Sequence, residues 1–158
     1  MSTGSLSLAA RFLKPGEIAF LSKPTIVTTI LGSCVAIILY DPQSCLGAIC
    51  HAVFPQSAGE QDLKYVDQAL SRMLVYFDRR AIKHSQIVTK LFGGADMFCK
   101  GNHGVGNKNV DAALRRIEEA GLCLTASDVG GGQGRKLLFK SYTGEVFLKK
   151  FHAKDSCL

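Results

Sequence analysis

Residues 26–34, Ile-Val-Thr-Thr-Ile-Leu-Gly-Ser-Cys, restrict the fold of this chain more than any other stretch. A β-branched apolar run ends at Gly32-Ser33, and a second apolar run leaves Cys34 and continues to Asp41-Pro42. Two strands joined by so short a glycine-containing bend must sit close together, with the thiol at the rim of a sheet. Strand periodicity puts Ile26, Thr28 and Ile30 on one face and Thr25, Val27 and Thr29 on the other. Thr28 is the one polar group in its row. After the turn at 41–44, residues 45–54 read as the partner strand, with Gly47, Ile49, His51 and Val53 on a common face.

A cysteine becomes a nucleophile when an imidazole manages its proton, and a third group often orients that imidazole. Cys34, His51 and Thr28 are the candidates for these three roles, from adjacent strands. The main-chain N–H groups of the Gly32-Ser33-Cys34 bend are candidates for stabilising an oxyanion. A cysteine and a histidine on apolar strands are also ordinary core residues, so spacing by itself is a weak signal.

The rest of the chain supplies one domain around this pair. Its 158 residues suffice for a real core. No apolar stretch reaches the length of a membrane span, and Met1–Ala10 lacks the basic and apolar regions of a secretory signal, which predicts a cytoplasmic protein. The six cysteines then read as free thiols rather than a disulfide framework. The net charge of +6 is dispersed without interleaved aromatics, which argues against nucleic acid and for acidic protein surfaces.

Residues 1–14 are expected to form a flexible leader, 15–151 the domain, and 152–158 a frayed tail. Leu63, Val66, Leu70, Met73, Leu74 and Phe77 have helical spacing over 62–80, with Lys64, Asp67, Arg72 and Asp78 on the polar face. A second helix has Val110, Ala113, Leu114 and Ile117 as its buried stripe and Gly121 as its stop. Strands are expected near 18–21, 86–92 and 122–126, with a terminal hairpin around Thr143-Gly144. Mostly strands with two inserted helices predict an α+β layered domain, with mixed sheets and the helices packed outside.

Other constellations are weak. Cys45 and Cys50 face opposite ways on a regular strand, and Cys99, Cys123 and Cys157 have no paired histidine, so no metal is expected. Gly101 and Gly106 imitate a phosphate loop, but Asn107 stands where its lysine belongs and Asn109 where its hydroxyl belongs. No cofactor is expected. Gly130-Gly131-Gly132-Gln133-Gly134-Arg135 has the makings of an anion cradle but is more simply a turn. His84, His103 and His152 are expected in solvated or loop positions.

Several blocks together resemble the CheD family of chemoreceptor glutamine deamidases. They are Pro15-Gly16-Glu17, residues 28–35 (Thr-Thr-Ile-Leu-Gly-Ser-Cys-Val), Asp41-Pro42, His51 with Pro55, Lys64-Tyr65, residues 90–95 (Lys-Leu-Phe-Gly-Gly-Ala), residues 128–131 (Asp-Val-Gly-Gly) and Thr143-Gly144-Glu145. The resemblance implies a fold like that of deamidating toxins with papain-like thiol chemistry, and catalytic roles for Cys34, His51 and Thr28. It also implies that glutamines on the cytoplasmic helices of methyl-accepting chemotaxis receptors are converted to glutamate through a cysteine thioester. A CheC-type phosphatase is a further implied partner. Lys108 departs from the family's usual arginine, and Cys50 beside His51 is unusual. Two other readings are a non-catalytic module docking on receptor or phosphatase, and an amidase for free glutamine.

Overall fold

The computed structural model describes residues 7–97 and 104–152. Three layers stack in it: a four-stranded sheet, a five-stranded sheet and a pair of helices. In chain order the strands are β1 (Ala9–Phe12), β2 (Ile18–Leu21), β3 (Thr25–Leu31), β4 (Val35–Asp41), β5 (Leu46–Cys50), β6 (Val88–Gly93), β7 (Cys123–Val129), β8 (Gly134–Lys140) and β9 (Val146–Phe151). The helices are α1 (Val66–Asp78) and α2 (Val105–Glu119). The expected α+β layered class is what the chain adopts.

The first sheet has the order β1-β3-β8-β9, and the second β2-β5-β4-β6-β7. Two pairings are parallel, β1 with β3 and β6 with β7; the others are antiparallel. β4 explains the layering. Each of its seven residues is buried, because one face meets the first sheet and the other the helices. Ala36, Ile38 and Tyr40 join Val27, Leu31, Leu137 and Phe139 between the sheets. Val35, Ile37 and Leu39 join Met73, Phe77 and Ile117 beneath the helices. A strand covered on both sides has no use for alternation, which is why its sequence is a continuous apolar run.

Four local expectations change. Residues 9–12, assigned to the flexible leader, form β1 in parallel register with β3, and Leu13 behind it is fully buried. α1 starts at Val66 rather than near 62, because the main chain of Lys64–Val66 is already bonded to Val53 and Phe54. Asp67 leaves the polar face: it is buried and accepts hydrogen bonds from the main-chain N–H and hydroxyl of Ser57. Leu114 is 40% exposed, so the buried stripe of α2 runs through Val110, Ala113 and Ile117 without it. Residues 153–158 of the expected tail lie outside the described residues, as do Cys99, Gly101, His103 and Cys157.

Candidate functional site

β4 and β5 bring the thiol and the imidazole to one side. Val35 and Ala52 exchange main-chain hydrogen bonds of 3.0 and 2.8 Å, continuing the register that pairs Ile38 with Ile49. His51 therefore lies opposite Ala36, and Cys34, two residues before Ala36, is its diagonal neighbour on the face between the sheets. Cys34 is half-buried and His51 is 2% exposed.

The bend carrying Cys34 is clamped from several elements. The carbonyl of Cys34 accepts from Gly94 N at 2.8 Å and that of Gly32 from Ala95 N at 2.9 Å. Gly93 has φ +107°, and a β-carbon there would run into the Cys34 carbonyl, so the backbone approach requires glycine. The Nδ2 group of Asn109, fully buried in α2, donates to the Ser33 and Val53 carbonyls at 2.9 Å each. One side chain thus ties the residue before the thiol to the segment after the imidazole. Ser33 and Cys34 donate their main-chain N–H groups to no main-chain carbonyl of the described residues, and the Cys34 N–H lies toward its own Sγ.

His51 is held by backbone and by a hydroxyl. Its carbonyl accepts from Gly16 N and its N–H donates to the Glu17 carbonyl, so the Pro15-Gly16-Glu17 turn fixes its main chain. Its Nδ1 lies 2.7 Å from the hydroxyl of Thr29, and that hydroxyl lies 2.8 Å from the Leu13 carbonyl. A carbonyl can only accept, so the single hydroxyl proton of Thr29 goes to Leu13. The hydroxyl must then accept from Nδ1–H, which leaves the lone pair on Nε2. Nε2 is buried and has no partner among the described residues.

The hydroxyl that reaches His51 is that of Thr29, where the sequence pointed to Thr28. Thr28 lies on the opposite face of β3, half-buried and paired across the ladder with Phe12 and Leu138. Gly32 and Ser33 stand at the bend as expected. Asn109 was missed, although it closes the near-phosphate-loop pattern. The glycine loop 130–134 is no anion cradle, for Arg135 is buried and spends its guanidinium on Asp128 and the carbonyls of Gly93, Gly130 and Gln133. Among the described residues no cluster of His, Cys, Asp or Glu is arranged to hold a metal.

Burial sets the resting protonation. It raises the Cys34 thiol above its ordinary value of 9 and lowers His51 to about 4. Both groups are neutral at pH 7, and no hydrogen bond joins them at rest. Cys50 points into the helix-side core and is pushed up to about 12, which removes it as a rival nucleophile.

A half-buried thiol at the lip of a sheet, beside an imidazole with a free Nε2 and a hydroxyl on Nδ1, has the parts of a thiol-dependent hydrolase. The CheD model, described as chemotactic sensory transduction, matches residues 51–150. A probable chemoreceptor glutamine deamidase CheD 2 of Geobacter sulfurreducens is 46% identical, with 92% of each chain covered. The chemoreceptor glutamine deamidase CheD of Thermotoga maritima is 33% identical over 85% of this chain and 88% of that one. The chain belongs to the CheD family. In fold it is similar to the Bacillus licheniformis hypothetical protein YfiH at a TM-score of 0.50 and 14% identity, covering 71% of this chain and half of that one.

Proposed function

We propose that this protein deamidates selected glutamines of chemoreceptors, with Cys34 as nucleophile, His51 as acid and base, and Thr29 orienting His51. The observation that carries the residue assignment is the unpartnered Nε2 of His51, whose tautomer is fixed as a base by Thr29 and Leu13. The names borne by the relatives supply the substrate class.

The thiol and imidazole start neutral, so the thiolate is made during attack rather than held in advance. Nε2 takes the Sγ proton as sulfur adds to the side-chain carboxamide carbon. The oxygen that becomes negative lies against the bend, where Ser33 and Cys34 have main-chain N–H groups to offer. Collapse breaks the C–N bond, His51 returns its proton to the departing nitrogen, and ammonia leaves behind a thioester. Water then adds to the thioester, giving a proton to Nε2; the C–S bond breaks, Sγ is reprotonated, and glutamate is released. The exchange turns a neutral amide into a carboxylate on the receptor.

Thr28 has no contact with His51 and takes no part in this scheme. A cytoplasmic location and pairing with a CheC-type phosphatase belong to the same reading. The experiment is mass spectrometry of a receptor cytoplasmic fragment incubated with the protein. Amide-to-acid conversion at particular glutamines is expected with the wild type and is lost in Cys34→Ala and His51→Ala. Undiminished conversion by either variant removes the assignment.

A further inference from the structure

The outer face of the four-stranded sheet reverses the usual pattern, for its centre is apolar. Register aligns Phe12, Thr28, Leu138 and Phe147 in one row across β1, β3, β8 and β9. Ile26 and Ile30 flank Thr28 along β3. Phe12 is 52% exposed, and Phe147 and Ile30 are each 49% exposed. Three inter-strand spacings make the row about 14 Å wide, which matches the ~10–12 Å diameter of one α-helix. Contiguous exposed apolar surface of this kind marks an interaction site.

Charge selects the occupant. The four strands carry Arg11, Arg135, Lys136, Lys140, Lys149 and Lys150 and no acidic residue. Arg135 and Lys150 bind Asp128, and Arg11 reaches the Ile18 carbonyl. Lys136, Lys140 and Lys149 remain around the apolar row: Lys140 lies opposite Ile26, and Lys136 stands between Ile30 and Lys149. The Lys140 ammonium sits 5.0 Å above the Phe147 ring. A second copy of this chain laid face to face would bring these lysines against their own kind, a repulsive arrangement. A helix with an apolar stripe edged by carboxylates satisfies both features.

We propose that this face docks an acidic amphipathic helix of the substrate protein, seating its apolar stripe on Phe12, Leu138 and Phe147 and its carboxylates on Lys136, Lys140 and Lys149. The inference rests on the deamidase reading in taking the partner to be the substrate. β3 connects the two sites, since Ile30 on the docking face is four residues before Cys34.

The test separates docking from chemistry. A labelled receptor cytoplasmic fragment is titrated with Cys34→Ala protein, and then with the same protein carrying Lys136→Glu, Lys140→Glu and Lys149→Glu, or Phe12→Ser and Phe147→Ser. Each set is expected to weaken binding about tenfold or more, and added salt should weaken the parent protein in the same direction. In proteins that retain Cys34, the same substitutions should leave iodoacetamide alkylation of Cys34 unchanged while raising KM for the fragment. Unaltered affinity in both sets overturns the proposal. So does a self-association of the protein that the same substitutions abolish. If the fragment binds through this face and no glutamine is converted, the deamidase reading fails and docking stands. If conversion is normal in the charge-reversed protein, docking fails and the chemistry stands.

Discussion

The two faces of β3 are built from similar residues, threonine among aliphatics, yet they meet different surroundings. Thr25, Val27, Thr29 and Leu31 turn inward and are all buried. Ile26, Thr28 and Ile30 turn outward onto the lysine-edged surface. The face that looks more apolar in sequence is the exposed one. An inward hydroxyl is acceptable because Thr29 is fully satisfied, donating to Leu13 and accepting from His51. An outward isoleucine is acceptable at a surface that another molecule can cover. Polar satisfaction, rather than hydrophobicity, decides which side of this strand faces the core.

The sharpest break of this comparison is a pair of isosteric substitutions. Thr29→Val removes a buried hydrogen bond on the His51 imidazole, an effect of about 1–3 kcal/mol. It should lower kcat for deamidation about ten- to a hundredfold, with KM little changed. Thr28→Val should leave kcat within about twofold. Equal effects at the two positions would dissolve the distinction between the faces.

Asn109→Ala comes next. It leaves the Ser33 and Val53 carbonyls without their donor, and unfolding in denaturant should register a loss of about 1–3 kcal/mol. Activity should fall further than the folded fraction does, because the thiol bend and the imidazole strand lose their common anchor. Parallel loss of stability and activity would mean that Asn109 only holds the fold.

A smaller effect follows from pH. The folded pKa of His51, about 4, lies below its ordinary 6.5. The fold therefore favours the neutral ring, and this contribution is fully present above 6.5 and is lost as pH falls toward 4. Thermal unfolding measured across that window should show His51→Asn losing less stability than the wild type. A steeper acid loss in the variant would contradict the buried neutral ring.

The least effect is expected at the other thiols. Cys50→Ala and Cys45→Ala should deamidate within about twofold of wild type, Cys50 because it faces the helices and Cys45 because it lies in the exposed turn.

Much of this architecture was legible in residue order. The continuous run of β4, the helical spacing on α1 and α2, and the hairpin at Thr143-Gly144 each leave a local pattern. Cys34 and His51 stood out through the run of blocks that resembles the CheD family, since a cysteine and a histidine on apolar strands are by themselves ordinary core residues. The choice between Thr28 and Thr29 was not legible, because a period of two defines two faces without saying which is inward. Nor was β1: Ala-Ala-Arg-Phe has no alternation, and its parallel partner is recognisable only once β3 is in place. Asn109 resembled a failed phosphate loop because its two acceptors, Ser33 and Val53, lie more than fifty residues away in sequence.

The bond from Thr29 to Leu13, the residue after β1, links that edge strand to the ring of His51, the acid and base of the proposed reaction. If β1 peels from β3, the Thr29 hydroxyl is released from the Leu13 carbonyl and can turn its proton toward Nδ1. The imidazole would then carry its hydrogen on Nε2 and present the thiol with a donor instead of a base. On the proposed assignment, a few residues at the rim of the sheet would act as a tautomer lock, and a pull on them would silence Cys34 without touching it.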